Sequence, residues 1–356
     1  MNVVITISVL ILLAYGIIIY RYYSGLSLLK NKPDNNNSLP SVSVVIAVKN
    51  EEKNIPKLLI KLKEIQYKGR LEFILVNDHS SDLTMEELKK STLTNITILR
   101  NKNQGKKRAV ETGVSYSKNE WIAVTDADCL MSPDWLTSMV SCIDDSVNMV
   151  LGPVFIDSRE KDFCNLQKNE FYGLQGATAG SAAIGAPISA NGANMMFKRS
   201  VFTALKPYKS NYHLNTGDDQ FLLMAIHKKY PGSITYSLEE KSIVRTVPVR
   251  KCRKYWEQRI RWASKGSSYT DWNLVITGLV VFLASLISVA LLIIGAIFQH
   301  YYLWLLILFK LSFDFFLIKR VSTFAKESLG LLSFFVSGIV YPFVVVISVI
   351  GGVIKR

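Results

Sequence analysis

Apolar and polar positions divide the 356-residue chain into three stretches. Both ends carry long charge-free runs, and the middle alternates short apolar runs with polar clusters. Met1 to Tyr20 contains no charged residue. About 20 apolar residues suffice for a helix to cross a bilayer. No basic residue leads this run and no small-residue cleavage site closes it, so an uncleaved anchor is expected rather than a signal peptide. Trp272 to Phe309 is also charge-free and divides at Gln299-His300. Spans are expected over 274–297, 301–318 and 331–354. Lys310 and Asp314 fall inside the second of these, four residues apart. They read either as an intramembrane polar site or as an ion pair along one helix face.

The middle follows a different period. Val42–Val48 is a continuous β-branched run, as in a strand covered on both faces. Asn54 offers an N-cap, with Pro56 early in the following helix. Ile55, Leu58, Leu59, Leu62 and Ile65 form a helical stripe. Further strands are expected at 71–76, 96–99, 121–125 and 149–154, and further helices at 85–90, 105–117, 133–142 and 221–227. This alternation predicts an α/β fold with a parallel sheet and right-handed crossovers. Ligands in such sheets bind beyond the carboxyl ends of the strands.

Composition and charge narrow the class. Hydrophobic residues make up 49% of the chain, which excludes disorder for most of its length. The four cysteines (Cys129, Cys142, Cys164, Cys252) have no CxxC spacing and no His partners, which speaks against a disulfide framework or a zinc site. Net charge is +14; residues 22–271 hold 35 basic and 26 acidic residues, a net +9. Eight basic residues and one acid, Glu257, fall in 242–265, where Cys252, Tyr255, Trp256, Ile260 and Ala263 recur at helical intervals. A basic amphipathic helix just before a span is expected to lie on the bilayer surface. The basic charge carries no nucleic-acid module signature, so no nucleic-acid partner is expected. Arg21, Lys30 and Lys32 after the first run, and Lys319, Arg320 and Lys326 between the last two spans, place the middle in the cytoplasm by the positive-inside rule.

Three strand ends aim carboxylates at one crevice: Glu51-Glu52, Asp78 to Asp82, and Asp126-Ala127-Asp128. Asp82 and Glu52 read as turn or cap residues. Asp126 and Asp128, two residues apart at a strand end, project the same way. Such oxygen ligands suit Mg²⁺ or Mn²⁺ held together with a substrate phosphate. Gly105-Lys106-Lys107-Arg108 would meet phosphate charge without the spacing of a P-loop. Gly217-Asp218-Asp219, ahead of an apolar helix, offers a general base.

The order VVIAVKNEE, ILVNDHSSD, NQGKKRAVETG, VTDADCLMSPDWL, ANGANMMFKRSVF, TGDDQF and QRIRW resembles the membrane-bound GT-A glycosyltransferases of family 2, over about residues 42–262. The QxxRW at Gln258, Arg261 and Trp262 is similar to that of ceramide glucosyltransferase-like and of cellulose and hyaluronan synthase-like members. Departures are Ala47 for Pro, Lys49 for Arg, Asn77 for Asp, and Asp218 for the Glu ahead of the base. The resemblance implies an inverting hexosyltransferase with a nucleotide-sugar donor of the UDP-sugar class and a lipid or glycan acceptor; the lipid is preferred, with a processive polysaccharide synthase as the other reading. It implies that Glu51, Asp78, Lys106, Asp126, Gln258, Arg261 and Trp262 contact the nucleotide-sugar, that Asp128 holds Mg²⁺ or Mn²⁺, and that Asp219 is the catalytic base. The expected organisation is an anchor at 1–23, a linker at 24–40, a GT-A catalytic domain at 41–250, an interfacial helix with QxxRW at 251–271, and a membrane region at 272–356. The whole is expected to be an integral protein of a bacterial inner (cytoplasmic) membrane, its catalytic domain facing the cytoplasm.

Overall fold

The computed structural model describes residues 2–29, 39–157, 164–214 and 216–354. Residues 30–38 of the expected linker therefore lie outside the described residues. The chain begins with α1 (Asn2–Gly25), β1 (Val42–Val48), α2 (Ile55–Glu64), β2 (Leu71–Asn77), α3 (Thr84–Lys89), β3 (Ile96–Arg100) and α4 (Lys106–Tyr116). Then come β4 (Trp121–Val124), α5 (Trp135–Val140), β5 (Met149–Leu151), β6 (Val154–Ile156), α6 (Cys164–Ala183), β7 (Met195–Lys198) and α7 (Arg199–Leu205). The remainder is α8 (Asp218–Lys229), β8 (Ile234–Tyr236), β9 (Val244–Thr246), α9 (Cys252–Ala263), α10 (Trp272–Ile297), α11 (Trp304–Phe324) and α12 (Leu331–Ile354). Two compact units emerge. An α/β unit comprises Leu29–Asp157 and Ser189–Val247, and a helical unit comprises Met1–Leu28, Ser158–Ile188 and Pro248–Arg356.

The α/β unit is built on a seven-stranded sheet in the order β3-β2-β1-β4-β7-β5-β8. β1 is its centre: Val42, Val44, Val45, Ile46 and Val48 are buried on both faces, as the unbroken apolar run requires. β1 pairs in parallel with β2 and β4, and β2 with β3. The sheet is mixed rather than wholly parallel, because β7 runs antiparallel to both β4 and β5. The strand expected at 149–154 is two strands. It breaks at Gly152-Pro153, where proline has no N–H for the ladder; β5 stays in the large sheet while β6 pairs with β9 in a second, two-stranded sheet. The buried Asn194 side chain bridges this break, donating to the carbonyls of Pro153 (2.9 Å) and Ser242 (2.8 Å). Asn54 makes no side-chain cap on α2; it donates instead to Glu51 Oε2 at 2.6 Å.

In the helical unit, four helices among the described residues are long and apolar enough to cross a membrane: Ile5–Gly25, Trp272–Ile297, Tyr301–Phe324 and Leu331–Ile354. Two differences from expectation stand out. First, α6 is a 20-residue helix that packs on α1, α11 and α12, so Ser158–Ile188 groups with the apolar helices and the 41–250 stretch is not one continuous unit. Small residues on α6, among them Gly176 and Gly180, permit close helix approach. Second, α11 runs on to Phe324, so Lys319 and Arg320 are helical rather than in a loop. There Arg320 donates to the Tyr23 carbonyl of α1 (3.2 Å) and to Ser27 Oγ just beyond its end (3.0 Å). Of the two readings of Lys310 and Asp314, the structure has the ion pair along one helix face (2.6 Å), and Tyr15 of α1 joins it by donating to Asp314 Oδ1 at 2.5 Å.

The helix α9 is shorter than the basic stretch that announced it. It buries Tyr255 and Arg259. Arg259 meets Glu170 of α6 in a bidentate pair with both side chains only 4% exposed, Nε donating to Oε1 at 2.7 Å. Tyr255 Oη donates to the same carboxylate at 3.2 Å, and the Arg259 guanidinium lies 4.5 Å from the Trp262 ring centre. Burial pushes the Tyr255 hydroxyl up, and the Glu170 charge adds to it. Burial alone would lower Arg259, but its hydrogen bonds and charge pairing with Glu170 outweigh that and raise it.

Candidate active site

The sheet ends carry the polar cluster. Beyond β1 and β2, Asn50 (φ 56°) and His79 (φ 58°) hold left-handed backbone. Such conformations are costly for non-glycine residues and gather at functional loops. The two loops are tied together: Asn50 Oδ1 accepts from the Ser81 amide (2.8 Å), and Thr84 Oγ1 accepts from the Glu51 amide (2.7 Å). Asp82 and Glu52 bond locally, Asp82 Oδ1 accepting from the Thr84 amide and Glu52 Oε2 from the Leu83 amide, as turn and cap residues do.

Asp78 is buried at the end of β2. Its carboxylate accepts from Asn101 Nδ2 (2.8 Å) and from the Gly105 amide (2.9 and 3.0 Å). This fixes the loop that starts α4. Gly105 has φ 116°, a conformation that side chains resist, so glycine is needed where the backbone turns to present Lys106.

Lys106 is the hub of the cluster. Its Nζ donates to Asp126 Oδ1 at 2.7 Å and lies 3.6 Å from Asp218 Oδ2. Burial works against its charge, but Asp126, Asp218 and Asp219 together hold the ammonium well above the usual lysine range. Asp126 and Asp128 lie in a turn after β4, closed by the Cys129 amide donating to the Asp126 carbonyl at 3.2 Å. The turn, not strand alternation, brings them together, because β4 ends at Val124. Burial pushes the Asp128 carboxyl up, and the Asp126 charge adds to it. Burial likewise raises Glu51, with Asp128 and Asp126 contributing over the opposing Asn54 hydrogen bond. Thr246 of β9 donates to Asp128 Oδ2 at 3.4 Å, a contact from the second sheet that sequence reasoning missed.

The acids of Gly217-Asp218-Asp219 open α8, where a helix N-terminus favours negative charge. They differ in exposure. Asp218 is 5% exposed, whereas Asp219 is half-buried. Asp219 Oδ2 accepts from the Gly192 amide (3.2 Å), and Oδ1 from the Gln220 amide (2.7 Å). A Cβ on Gly192 would sit 3.2 Å from Asp218 Oδ2 and 3.4 Å from Lys106 Nζ. Only glycine brings its backbone this near the cluster, and the Asn191-Gly192 pair is the sequence signal for it.

A divalent cation fits this donor set. The carboxylates of Asp126 and Asp128 and the Cys129 sulfur offer atoms within 4.8 Å of one another. Burial pushes the Cys129 thiol well up, with Asp128 and Asp126 adding to it, so Cys129 stays a thiol and leaves two hard oxygen donors. Asp128 is held up first by burial and then by the Asp126 charge, and a cation between the two carboxylates would offset that charge. Glu51, Asp78, Lys106, Asp126, Asp128 and Asp219 thus all fall in the α/β unit, at one end of its sheet. Gln258, Arg261 and Trp262 belong to α9 in the helical unit, with Arg261 exposed and the other two half-buried.

The comparisons with known proteins fit this geometry. The chain has the GT-A fold of nucleotide-diphospho-sugar transferases, with a mostly parallel central sheet. It is similar across 91% of its length to the whole of a mannosyltransferase from Pyrobaculum calidifontis solved with GDP-mannose and Mn²⁺ (TM-score 0.63, 19% identity). Residues 43–205 match the family model "Glycosyl transferase family 2", and the chain carries a domain of that family. A poly-β-1,6-N-acetyl-D-glucosamine synthase of Staphylococcus aureus is 24% identical over 250 residues, 67% of this chain and 58% of that protein. A probable glycosyltransferase, YdaM, of Bacillus subtilis is 27% identical over 255 residues, 66% of this chain and 57% of that protein. The chain spans a little under three fifths of the length of these curated relatives.

Proposed function

We propose that the protein is an inverting glycosyltransferase that moves a sugar from a nucleotide-diphosphate sugar, of the UDP class, to a membrane lipid. The observation that carries this reading is the cluster of Lys106, Asp126, Asp128, Asp218 and Asp219 around the Gly192 backbone, at one end of a mostly parallel sheet. It separates two acidic functions. Asp126 and Asp128 would hold Mg²⁺ or Mn²⁺, which supplies charge to offset a diphosphate leaving group. Lys106 adds fixed positive charge beside them. Asp219, more exposed than its neighbour and oriented by the Gly192 amide, takes the proton of the acceptor hydroxyl. The new bond forms at the anomeric carbon as the bond from that carbon to the diphosphate oxygen breaks. Asp218, buried beside Lys106, orients and neutralises it. Asp78 holds the loop of Gly105 against the nucleotide, and Glu51 lies behind the carboxylate pair. Gln258, Arg261 and Trp262 are assigned to the donor diphosphate by their motif alone.

The lipid acceptor is favoured by the four apolar helices carried on the same chain. The resemblance to a polymer synthase supports the second reading, in which the acceptor is a growing glycan. The catalytic unit is proposed to face the cytoplasm of a bacterial inner membrane, on the strength of Arg21, Lys319 and Arg320 near the C-terminal ends of the apolar helices α1 and α11. Incubation with UDP- and GDP-sugars and a lipid extract, followed by mass spectrometry of the products, separates these acceptors. A single sugar on lipid supports the first reading, and a ladder of sugars supports the second.

A further inference from the structure

The helical unit encloses a cavity of about 170 Å³ between α1, α6, α10, α11 and α12. That is somewhat larger than the ~150 Å³ apolar cavity able to hold a benzene ring. Leu174, Ala177, Val281 and Leu317 contribute its apolar wall. Most of its polar lining is already partnered within the protein. Tyr22 and Thr277 share a hydrogen bond of 2.8 Å, Asn169 Nδ2 donates to Ser337 Oγ at 3.0 Å, and Lys310 is paired with Asp314. A sugar chain needs a partner for each hydroxyl it buries, and a buried polar group without one is costly. This cavity offers such a chain little, and an alkyl or prenyl chain needs none. Four of the five surrounding helices are apolar enough to cross a membrane, so hydrocarbon chains are the solvent around them.

One end of the cavity has a different character. Glu170 lines it and is locked to Arg259, which also bonds Gln258 Oε1. Through that pair the cavity lining is tied to the helix that carries Gln258, Arg261 and Trp262. We propose that the cavity holds a hydrocarbon chain of the acceptor lipid, with the polar end of that lipid toward Glu170 and α9. The proposal rests on the lipid-acceptor reading above and names where the lipid's chain is held.

The test uses the full chain in phosphatidylethanolamine/phosphatidylglycerol vesicles doped with a phosphatidylglycerol that carries a diazirine at the end of one acyl chain. Irradiation and peptide mapping should place adducts on 166–177 and on 277–281, besides those on outward-facing Leu286 and Ile293. Gly173 lines the cavity, and a Cβ there would meet only ordinary contacts at 3.8 Å from Ile318. Gly173→Leu and Ala177→Leu therefore fill the space while favouring helix. Each should lower the cavity adducts about tenfold, the scale of one misfit methylene in an apolar pocket, and leave the outward adducts in place. Each should also raise KM for the lipid acceptor more than KM for the donor. Adducts confined to outward faces in the unaltered protein, with sugar transfer to lipid intact, overturn the cavity assignment and leave the lipid-acceptor reading standing. Equal cavity adducts in the filled variants also overturn it. Cavity adducts without any transfer to lipid by the unaltered protein overturn the acceptor reading, and the proposal with it.

Discussion

Arg259→Met isolates what holds α9 in place. In the unaltered protein the Glu170 carboxylate accepts two charge-assisted bonds from Arg259 and one from Tyr255, and both charged side chains are 4% exposed. Methionine keeps much of the side-chain bulk but leaves Glu170 buried with a tyrosine hydroxyl as its remaining partner among these. Breaking a buried pair by removing one member costs about 3–5 kcal/mol. For a unit of this size each kcal/mol moves Tm by roughly 2–4 °C, so a loss of about 6 °C or more is expected. Glu170→Leu combined with Arg259→Met removes both charges and should recover most of that loss, since a well-packed apolar replacement is often neutral. The assay is thermal unfolding in mild detergent for the two single variants and the double. Single variants within about 1 kcal/mol of the unaltered protein, the range of a solvent-screened surface pair, would refute the buried pair. So would a double variant as unstable as the sum of the singles.

Asp219→Asn should keep nucleotide-sugar affinity, read by calorimetry, and lose at least about 10²-fold in transfer. Asp218→Asn should lose less, and the reverse order would move the base to Asp218. Asp128 and Glu51 have raised carboxyl values, so in the metal-free protein their contribution to stability is present below the ordinary carboxylate range and is lost as pH rises through the raised values. Mn²⁺ competes with those protons. The stability gained on adding it should therefore grow as pH rises above the ordinary carboxylate range, to about 2.7 kcal/mol at a hundredfold excess over Kd, and vanish in Asp128→Asn; a flat gain would contradict this. A cysteine introduced at Asn101 should resist an impermeant thiol reagent in intact cells, and its labelling would reverse the proposed orientation.

The hydrophobic pattern carried the architecture of the α/β unit where side chains alone decide. β1 and β2 are largely apolar strands interrupted by Ser43 and Glu72, and the Ile55–Leu62 stripe of α2 buries Ile55, Leu58 and Leu62. It failed where tertiary contacts decide. The reversed direction of β7 depends on its pairing with β4 and β5, which no local pattern encodes. The helix α6 is rich in Gly, Ala and Ser with little periodicity, so its packing against apolar helices was hidden, although a lone Glu170 in such a helix hints at a buried partner. Asp78, Asp126 and Asp128 stand out in the sequence by their places after strands, and Asp218 and Asp219 by a polar loop ahead of an apolar helix. Gly192 does not, because a backbone amide reaching Asp219 leaves no mark except the glycine itself. Arg259, between the motif residues of QxxRW, was passed over because its role is to reach α6.

The measurement closest to the central claim is sugar transfer itself. Purified full-length protein is incubated with radiolabelled UDP- and GDP-sugars, a lipid extract and Mn²⁺, in parallel with EDTA, Asp128→Asn and Asp219→Asn. The account predicts a lipid-extractable product bearing one sugar, whose mass exceeds that of its acceptor by one glycosyl residue. It predicts that this product disappears in EDTA and in both variants. A product that persists undiminished in EDTA and in Asp219→Asn, or sugar released only to water with no acceptor product, would contradict it.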